Sequence, residues 1–190
     1  MTTNNAFFRR ATTPSDINEH MPTLSYFAQY CYHIVEFGVR DGNSTIAFLD
    51  GFGNENGGHL FSFDKEDHRI PDGDISPATT LLDWTFRKVD TDLLTSIPDC
   101  DLFFIDSDHN ADQVRRDLRF AEYVSRWIIL HDTTRFESEG FFWPAGAGGP
   151  GTGIMLAVNE FLEANRGTWK LLYRYAHNNG LAILERCDGS

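Results

Sequence analysis

The sequence predicts an α/β fold: a mostly parallel sheet with helices on both faces, closed at its C-terminal end by an antiparallel hairpin. Three observations lead there. Short apolar runs alternate with stretches of helical period through most of the chain. The runs over 101–106 and 127–130 have unbroken apolar middles, as strands covered on both faces do. Near the C-terminus two strand-like segments flank His177-Asn178-Asn179-Gly180, and Asn-Gly is a strong signal for a tight hairpin.

Composition bounds the answer. With 190 residues the chain is long enough for one domain with a proper core, and a single domain over 1–190 is expected. A hydrophobic content of 41% and an aromatic content of 14% point to a packed globule rather than disorder. The formal net charge is −12, whereas a surface that tracks phosphates is basic, which argues against nucleic acid and against an anionic membrane. Cys31, Cys100 and Cys187 lie far apart with no C-x-x-C, and read as reduced thiols with no disulfide framework and no zinc site. The N-terminus lacks the apolar core of a signal peptide, and no apolar run approaches membrane-spanning length. A cytoplasmic protein acting on a small molecule is expected, with a homo-oligomer left open.

The elements follow in order. Residues 1–14 are mostly polar apart from Phe7 and Phe8, end at Pro14, and read as a loose arm. Over 15–31, Ile17, Met21, Leu24, Phe27 and Ala28 fall at helical spacing, with Pro22 as a kink or a fresh start. The stretch 33–48 organises the rest: an apolar strand over 34–39, a break at Arg40-Asp41-Gly42, then a helix capped by Asn43 or Ser44. Residues 51–58 form a turn-rich loop, 59–64 a short strand ending in Asp64, and 65–76 a charged loop. A helix is expected over 77–84 and a third strand over 85–89, closed by Asp90-Thr91-Asp92 and followed by one helical turn over 93–97. The buried strand over 101–106 precedes an amphipathic helix over 111–124, with Val114, Leu118 and Ala121 inward. The strand over 127–130 delivers His131-Asp132-Thr133. Residues 134–152 are the longest irregular piece, with Phe141, Phe142 and Trp143 at the tip and Gly146, Gly148, Gly149 and Gly151 after it. Long loops in compact domains are usually functional, so this one reads as an active-site lid. A helix over 153–165 and hairpin strands over 169–175 and 181–184 complete the chain.

The glycine turn suggests a ligand. Gly38 and Gly42 let the backbone approach it closely, and the open N–H groups of the helix start face it. A dinucleotide fingerprint needs G-x-G-x-x-G, but here Arg40 stands where a middle glycine belongs. Glu36 would set a carboxylate at the mouth, favouring a ligand with a ribose and a positive centre. Asp64, closing the second strand, suits ribose hydroxyls. Acids and histidines collect at the strand ends: Glu36 and Asp41, Asp64, Asp90, then Asp106, Asp108 and His109, then His131 and Asp132. Like charges at close quarters call for a cation among them.

The pattern Glu36-x-Gly38-x-x-x-Gly42 resembles motif I of the class I S-adenosylmethionine-dependent methyltransferases. Ile105-Asp106-Ser107-Asp108-His109, Asp117-Leu118 and His131-Asp132-Thr133 resemble the I-D-G-x-H, D-L and H-D-T motifs of small O-methyltransferase-like domains. These are related to the divalent-metal-dependent branch that includes catechol and macrolide-sugar O-methyltransferases. The resemblance covers about 36–133 and implies a Rossmann-like class I methyltransferase fold, a seven-stranded sheet with the C-terminal antiparallel hairpin. It implies S-adenosylmethionine held by Glu36, Gly38, Arg40, Gly42, Ser44, Asp64, Lys65, Asp90 and Asp106. It implies a divalent cation, Mg²⁺ or Mn²⁺, on Asp106, His131 and Asp132. Asp106 and His109 are then the catalytic residues, with His109 as the general base for an acceptor hydroxyl. Two departures stand out. His131-Asp132 occupies a position where those enzymes pair two acids or an acid and an amide, which admits softer metals. Ser107 replaces the usual glycine.

Two other readings stay open. Asp106, His109 and His131 could form a two-histidine, one-carboxylate iron triad of a hydroxylase, or the chain could be a non-catalytic cofactor-binding relative.

Overall fold

The computed structural model describes residues 5–52, 58–68, 70, 74, 82–142, 146–150 and 152–187. Its centre is strand β1 (His33–Phe37), the glycine turn after it, and helix α3 (Asn43–Phe52). Helices α1 (Asn5–Thr12) and α2 (Met21–Ala28) precede β1. Strands β2 (Gly58–Asp64), β3 (Leu82–Lys88) and β4 (Cys100–Ile105) follow α3. Then come helix α4 (Ala111–Leu118), strand β5 (Val124–His131), the short strands β6 (Glu139–Phe142) and β7 (Gly146–Pro150), helix α5 (Ile154–Ala164), and strands β8 (Trp169–Tyr175) and β9 (Leu181–Arg186).

The main sheet has seven strands in the order β3-β2-β1-β4-β5-β9-β8. The first five run parallel, while β9 inserts antiparallel beside β5 and pairs antiparallel with β8. Strand alternation explains the unbroken apolar runs. Ile34, Phe104 and Ile129 pack into one core with Met21, Ile46 and Phe48 from the α2 and α3 side. Their neighbours Val35, Phe103 and Ile128 pack into the other with Leu118 and Val158 from the α4 and α5 side. The hairpin expected at Asn179-Gly180 is present. Asn178 and Asn179 have φ of +46° and +68°, which Asn tolerates, and Gly180 has +96°. A Cβ on Gly180 would lie 2.4 Å from the Thr134 nitrogen, so no side chain fits there.

Several expectations need correction. The arm is not loose: residues 5–12 are helical, Ala6 is buried, and Phe7 packs on the core beside α3. Its anchor is long-range and invisible to local pattern. The Arg10 guanidinium donates to the Asp74 carboxylate, to the Asp41 carbonyl at 2.7 Å and to Asn43 Oδ1 at 2.8 Å. The stretch over 15–31 starts afresh near Pro22, a 3₁₀ turn at Asn18–His20 leading into α2 with proline in its first turn. The helix expected over 77–84 gives way at its end to β3, whose Leu82 already pairs with Gly58; residues 75–81 lie outside the described residues. The helix over 111–124 stops at Leu118 and finishes as a 3₁₀ turn, Arg119–Tyr123. The helical turn expected over 93–97 lies earlier, at Thr91–Leu93. The irregular stretch over 134–152 contains the two-stranded β6–β7 sheet, with Trp143 and Gly151 outside the described residues.

Candidate active site

The turn after β1 is shaped by contact as much as by conformation. Gly38 has φ of +87°, and a Cβ there would sit 2.1 Å from the Asp106 carbonyl oxygen. The ends of β1 and β4 therefore meet only because position 38 has no side chain. Arg40 also lies at positive φ, +43°, beyond the region most side chains favour. The turn is held from below by Asp64, whose Oδ2 accepts from the Val39 nitrogen at 2.8 Å.

Above the turn opens a cleft of about 440 Å³ across the carboxyl ends of β1 to β4. Such crevices are where open α/β sheets bind ligands. Of the residues expected to hold a cofactor, Gly38, Arg40, Asp64, Lys65, Asp90 and Asp106 line it. Glu66, Asp92 and Asp108 add further acids, offset in part by Arg40, Lys65 and Arg116. The Lys65 ammonium pairs with Asp108 at 2.7 Å, joining the loops after β2 and β4. A cleft this acidic suits a ligand with a cationic centre.

Glu36, Gly42 and Ser44 do not reach it. Glu36 is fully buried, facing α3 and β2 rather than the mouth. Its carboxyl accepts from Ser44 Oγ at 2.6 Å, Thr45 Oγ1 at 2.8 Å and Ser62 Oγ at 2.5 Å. Burial pushes its pKa up to about 7 despite those three donors. Glu36 thus ties β1 to α3 and β2. The proposed helix caps are likewise spent elsewhere: Ser44 on Glu36, and Asn43 on Arg10.

At the inner end of the cleft four residues from the ends of β4 and β5 converge. His109 Nε2 lies 2.9 Å from Asp132 Oδ2 and 3.4 Å from Asp106 Oδ1. Burial opposes charge on His109, but the two carboxylates outweigh it and raise its pKa to about 10. Burial also opposes charge on Asp106, yet the imidazoles of His131 and His109 hold its carboxyl below the usual range. Asp132 is buried with φ of +58°, a strained conformation for a non-glycine residue, and its Oδ1 has no hydrogen-bond partner. Asp106, His109 and Asp132 can each present one donor atom within 4.8 Å of the others, a set able to hold a metal ion.

His131 is not part of that set, contrary to the expected ligand trio of Asp106, His131 and Asp132. Its Nδ1 faces Asp106 Oδ1 at 3.2 Å, and its Nε2 faces the Asp16 carbonyl at 3.0 Å. Among the described residues the donor atoms of Asp106, His109 and His131 do not come together as a metal-holding set, so the iron triad is not assembled either. His131 instead braces Asp106. The segment after β5 contributes too. Phe136 stacks on the His109 ring, centroids 4.9 Å apart and planes 8° from parallel. The Phe141 nitrogen donates to the His109 carbonyl at 2.7 Å, which docks β6 on the loop carrying the cluster.

The profile of a methyltransferase-domain family matches residues 35–133, just over half of the chain. The chain belongs to this family. Solved structures of similar fold include a putative O-methyltransferase from Klebsiella pneumoniae, 16% identical, TM-score 0.62, covering 97% of this chain and 87% of that one. The O-methyltransferase TomG from Streptomyces achromogenes, involved in tomaymycin synthesis and solved with S-adenosylmethionine, is 14% identical with a TM-score of 0.62, covering 96% and 89%. An O-methyltransferase from Bacillus cereus, in complex with S-adenosylhomocysteine, is 15% identical with a TM-score of 0.60, covering 98% and 91%. No curated protein matches the sequence. Family and fold together make the chain a class I, S-adenosylmethionine-dependent methyltransferase. Among the described residues no helix is long and apolar enough to cross a membrane.

In this methyltransferase the Ser107 departure has a structural reason. Ser107 Oγ donates to Asp117, the buried acid of the Asp117-Leu118 pair, at 2.5 Å. Sequence reasoning missed Asp16, Thr91 and Gln113, which act through a backbone carbonyl, a hydroxyl and an amide that carry no distinctive signature in sequence. Phe136 could have been found, as an aromatic four residues past Asp132.

Proposed function

We propose that the methyltransferase moves the methyl group of S-adenosylmethionine, bound in the cleft over Gly38, to a hydroxyl of a small-molecule or sugar acceptor at the Asp106–His109–Asp132 cluster. The observation that carries this reading is continuity: Asp106 and His109 belong both to the cleft lining and to the cluster. An acceptor oxygen at the cluster therefore faces the cofactor. The acidic lining matches the sulfonium charge, and Asp64 stands where ribose hydroxyls would reach it.

A divalent cation fits the cluster. The orphaned, buried Asp132 Oδ1 needs a partner, and the carboxylates of Asp132 and Asp106 are hard oxygen donors that suit Mg²⁺ or Mn²⁺, leaving the His109 imidazole for the proton. Bound there, the ion would supply Lewis acidity that lowers the pKa of a hydroxyl. The protein's own residues position and move protons. Asp106 and Asp132 orient His109 from one side, and Phe136 holds its ring plane. The same carboxylates favour the imidazolium, so His109 becomes a base only when they are engaged otherwise. His131, anchored on Asp16, keeps Asp106 in register. Catalysis then rests mainly on alignment of oxygen, methyl carbon and sulfur.

The test is to incubate the protein with S-adenosylmethionine and panels of phenols, sugars and amines, with and without Mn²⁺, and to follow S-adenosylhomocysteine. Hydroxyl-dependent product carrying an O-methyl group by mass spectrometry is expected. Methylation confined to amine nitrogens would overturn the O-methyl assignment.

A further inference from the structure

We infer that Asp117, a residue outside the cleft, is the positioning residue that sets the distance between two walls of the cofactor site. This rests on the cleft over Gly38 holding S-adenosylmethionine. One wall is the loop after β4, Asp106 to His109; the other is the loop after β3, with Thr91 and Asp92. Asp117 sits on α4, 1% exposed, and does not line the cleft. Its Oδ2 accepts from Ser107 Oγ at 2.5 Å, in the first wall. Its Oδ1 accepts from Gln113 Nε2 at 3.0 Å. The same Gln113 amide reaches Thr91 Oγ1 at 3.3 Å and Asp92 Oδ1 at 3.2 Å, in the second wall. Arg116 reinforces that side, donating to Asp92 Oδ1 at 2.8 Å and to Gln113 Oε1 at 2.7 Å.

A buried carboxyl is an expensive way to fill space, and an apolar residue would fill it without desolvation loss. Here every contact of the carboxyl leads to a residue that lines the cleft. Ser107, placed where related motifs carry glycine, is the donor that makes the link to the first wall. Removing the carboxyl leaves the buried Gln113 amide and the half-buried Ser107 hydroxyl short of a shared partner, and the two loops lose their common reference.

The test is calorimetric titration of the full chain with S-adenosylmethionine and S-adenosylhomocysteine, beside thermal unfolding of each variant. Asp117→Leu should weaken binding by roughly tenfold, about 1.4 kcal/mol. Asp117→Asn, which can accept from Gln113 and donate to Ser107 Oγ, should restore most of the affinity. Ser107→Ala should also weaken binding, and Ser107→Ala with Asp117→Leu should lose less than the sum of the two, because they cut one path. Wild-type affinity in a folded Asp117→Leu protein, or additive losses, would overturn the inference. If Asp117→Leu does not fold, Ser107→Ala decides: unchanged affinity overturns it, while a loss that persists in the Asp117→Asn background, where the amide otherwise reaches Ser107, supports it. Failure of the wild type to bind either ligand would instead overturn the cofactor reading on which this rests.

Discussion

Glu36→Gln isolates the least expected feature of the site. In the folded protein Glu36 is buried under three hydroxyl donors and its pKa lies near 7, against 4.5 when exposed. Between those values the folded state holds a proton that the unfolded chain has lost, so stability falls as pH rises. The gap, at about 1.4 kcal/mol per pH unit, amounts to roughly 3 kcal/mol in full. From pH 5 to pH 8 the share of that loss is about 2.5 kcal/mol. Glutamine keeps the shape of the neutral acid, and the hydroxyls of Thr45 and Ser62 can rotate to accept from its amide. The assay is urea unfolding of both proteins at several pH values from 5 to 8. Asp117 titrates in a similar window, and His109 and His131 lend stability that is complete below pH 6.5 and lost as pH rises towards their raised values. The comparison is therefore the difference between the two curves, in which those shared contributions cancel. The variant should start near the wild type at pH 5 and exceed it by about 2 kcal/mol at pH 8. Parallel curves, or a variant equally destabilised at every pH, would refute the argument.

Other expectations are narrower. Gly38→Ala should destabilise the fold by about 2 kcal/mol or more, because its Cβ meets the Asp106 carbonyl, and the loss should show as a lower thermal midpoint. Asp132→Asn should weaken Mn²⁺ binding at least about tenfold by electron paramagnetic resonance, yet leave S-adenosylmethionine affinity within about threefold, since Asp132 does not line the cleft. Mn²⁺ binding at pH 8 should release close to one proton, read from calorimetry in buffers of different ionisation enthalpy, because His109 holds a proton that the two carboxylates stabilise. Arg10→Ala should speed hydrogen exchange across α1, because that guanidinium ties the helix to Asp74, Asp41 and Asn43 and its loss leaves only the Arg9–Asp74 pair among these anchors.

The sheet was legible because its signals are local. The apolar runs of β4 and β5, the glycine turn after β1 and the Asn-Gly hairpin each carry their reason within a few residues. What escaped depends on partners far along the chain. The start of β3 reads as helix until β2 is beside it, with Trp84 donating to Ser62 across the pair. α1 needs Asp74 and Asn43 to hold Arg10. At the site, Asp106, His109 and Asp132 were found from their places at strand ends. Pattern could not tell that Glu36 turns inward, since its three donors come from α3 and β2. Nor could it show that His131 is spent on Asp16 and Asp106, leaving His109 beside the carboxylates.

The proposed methyl transfer requires that the cleft over Gly38 hold the cofactor. Calorimetric titration of S-adenosylmethionine into the wild type and into Asp64→Ala tests it most directly. The expected result is one saturable site, displaced by S-adenosylhomocysteine and weakened at least about tenfold when the Asp64 carboxylate is lost. No binding to the wild type, or undiminished binding to Asp64→Ala, would contradict it.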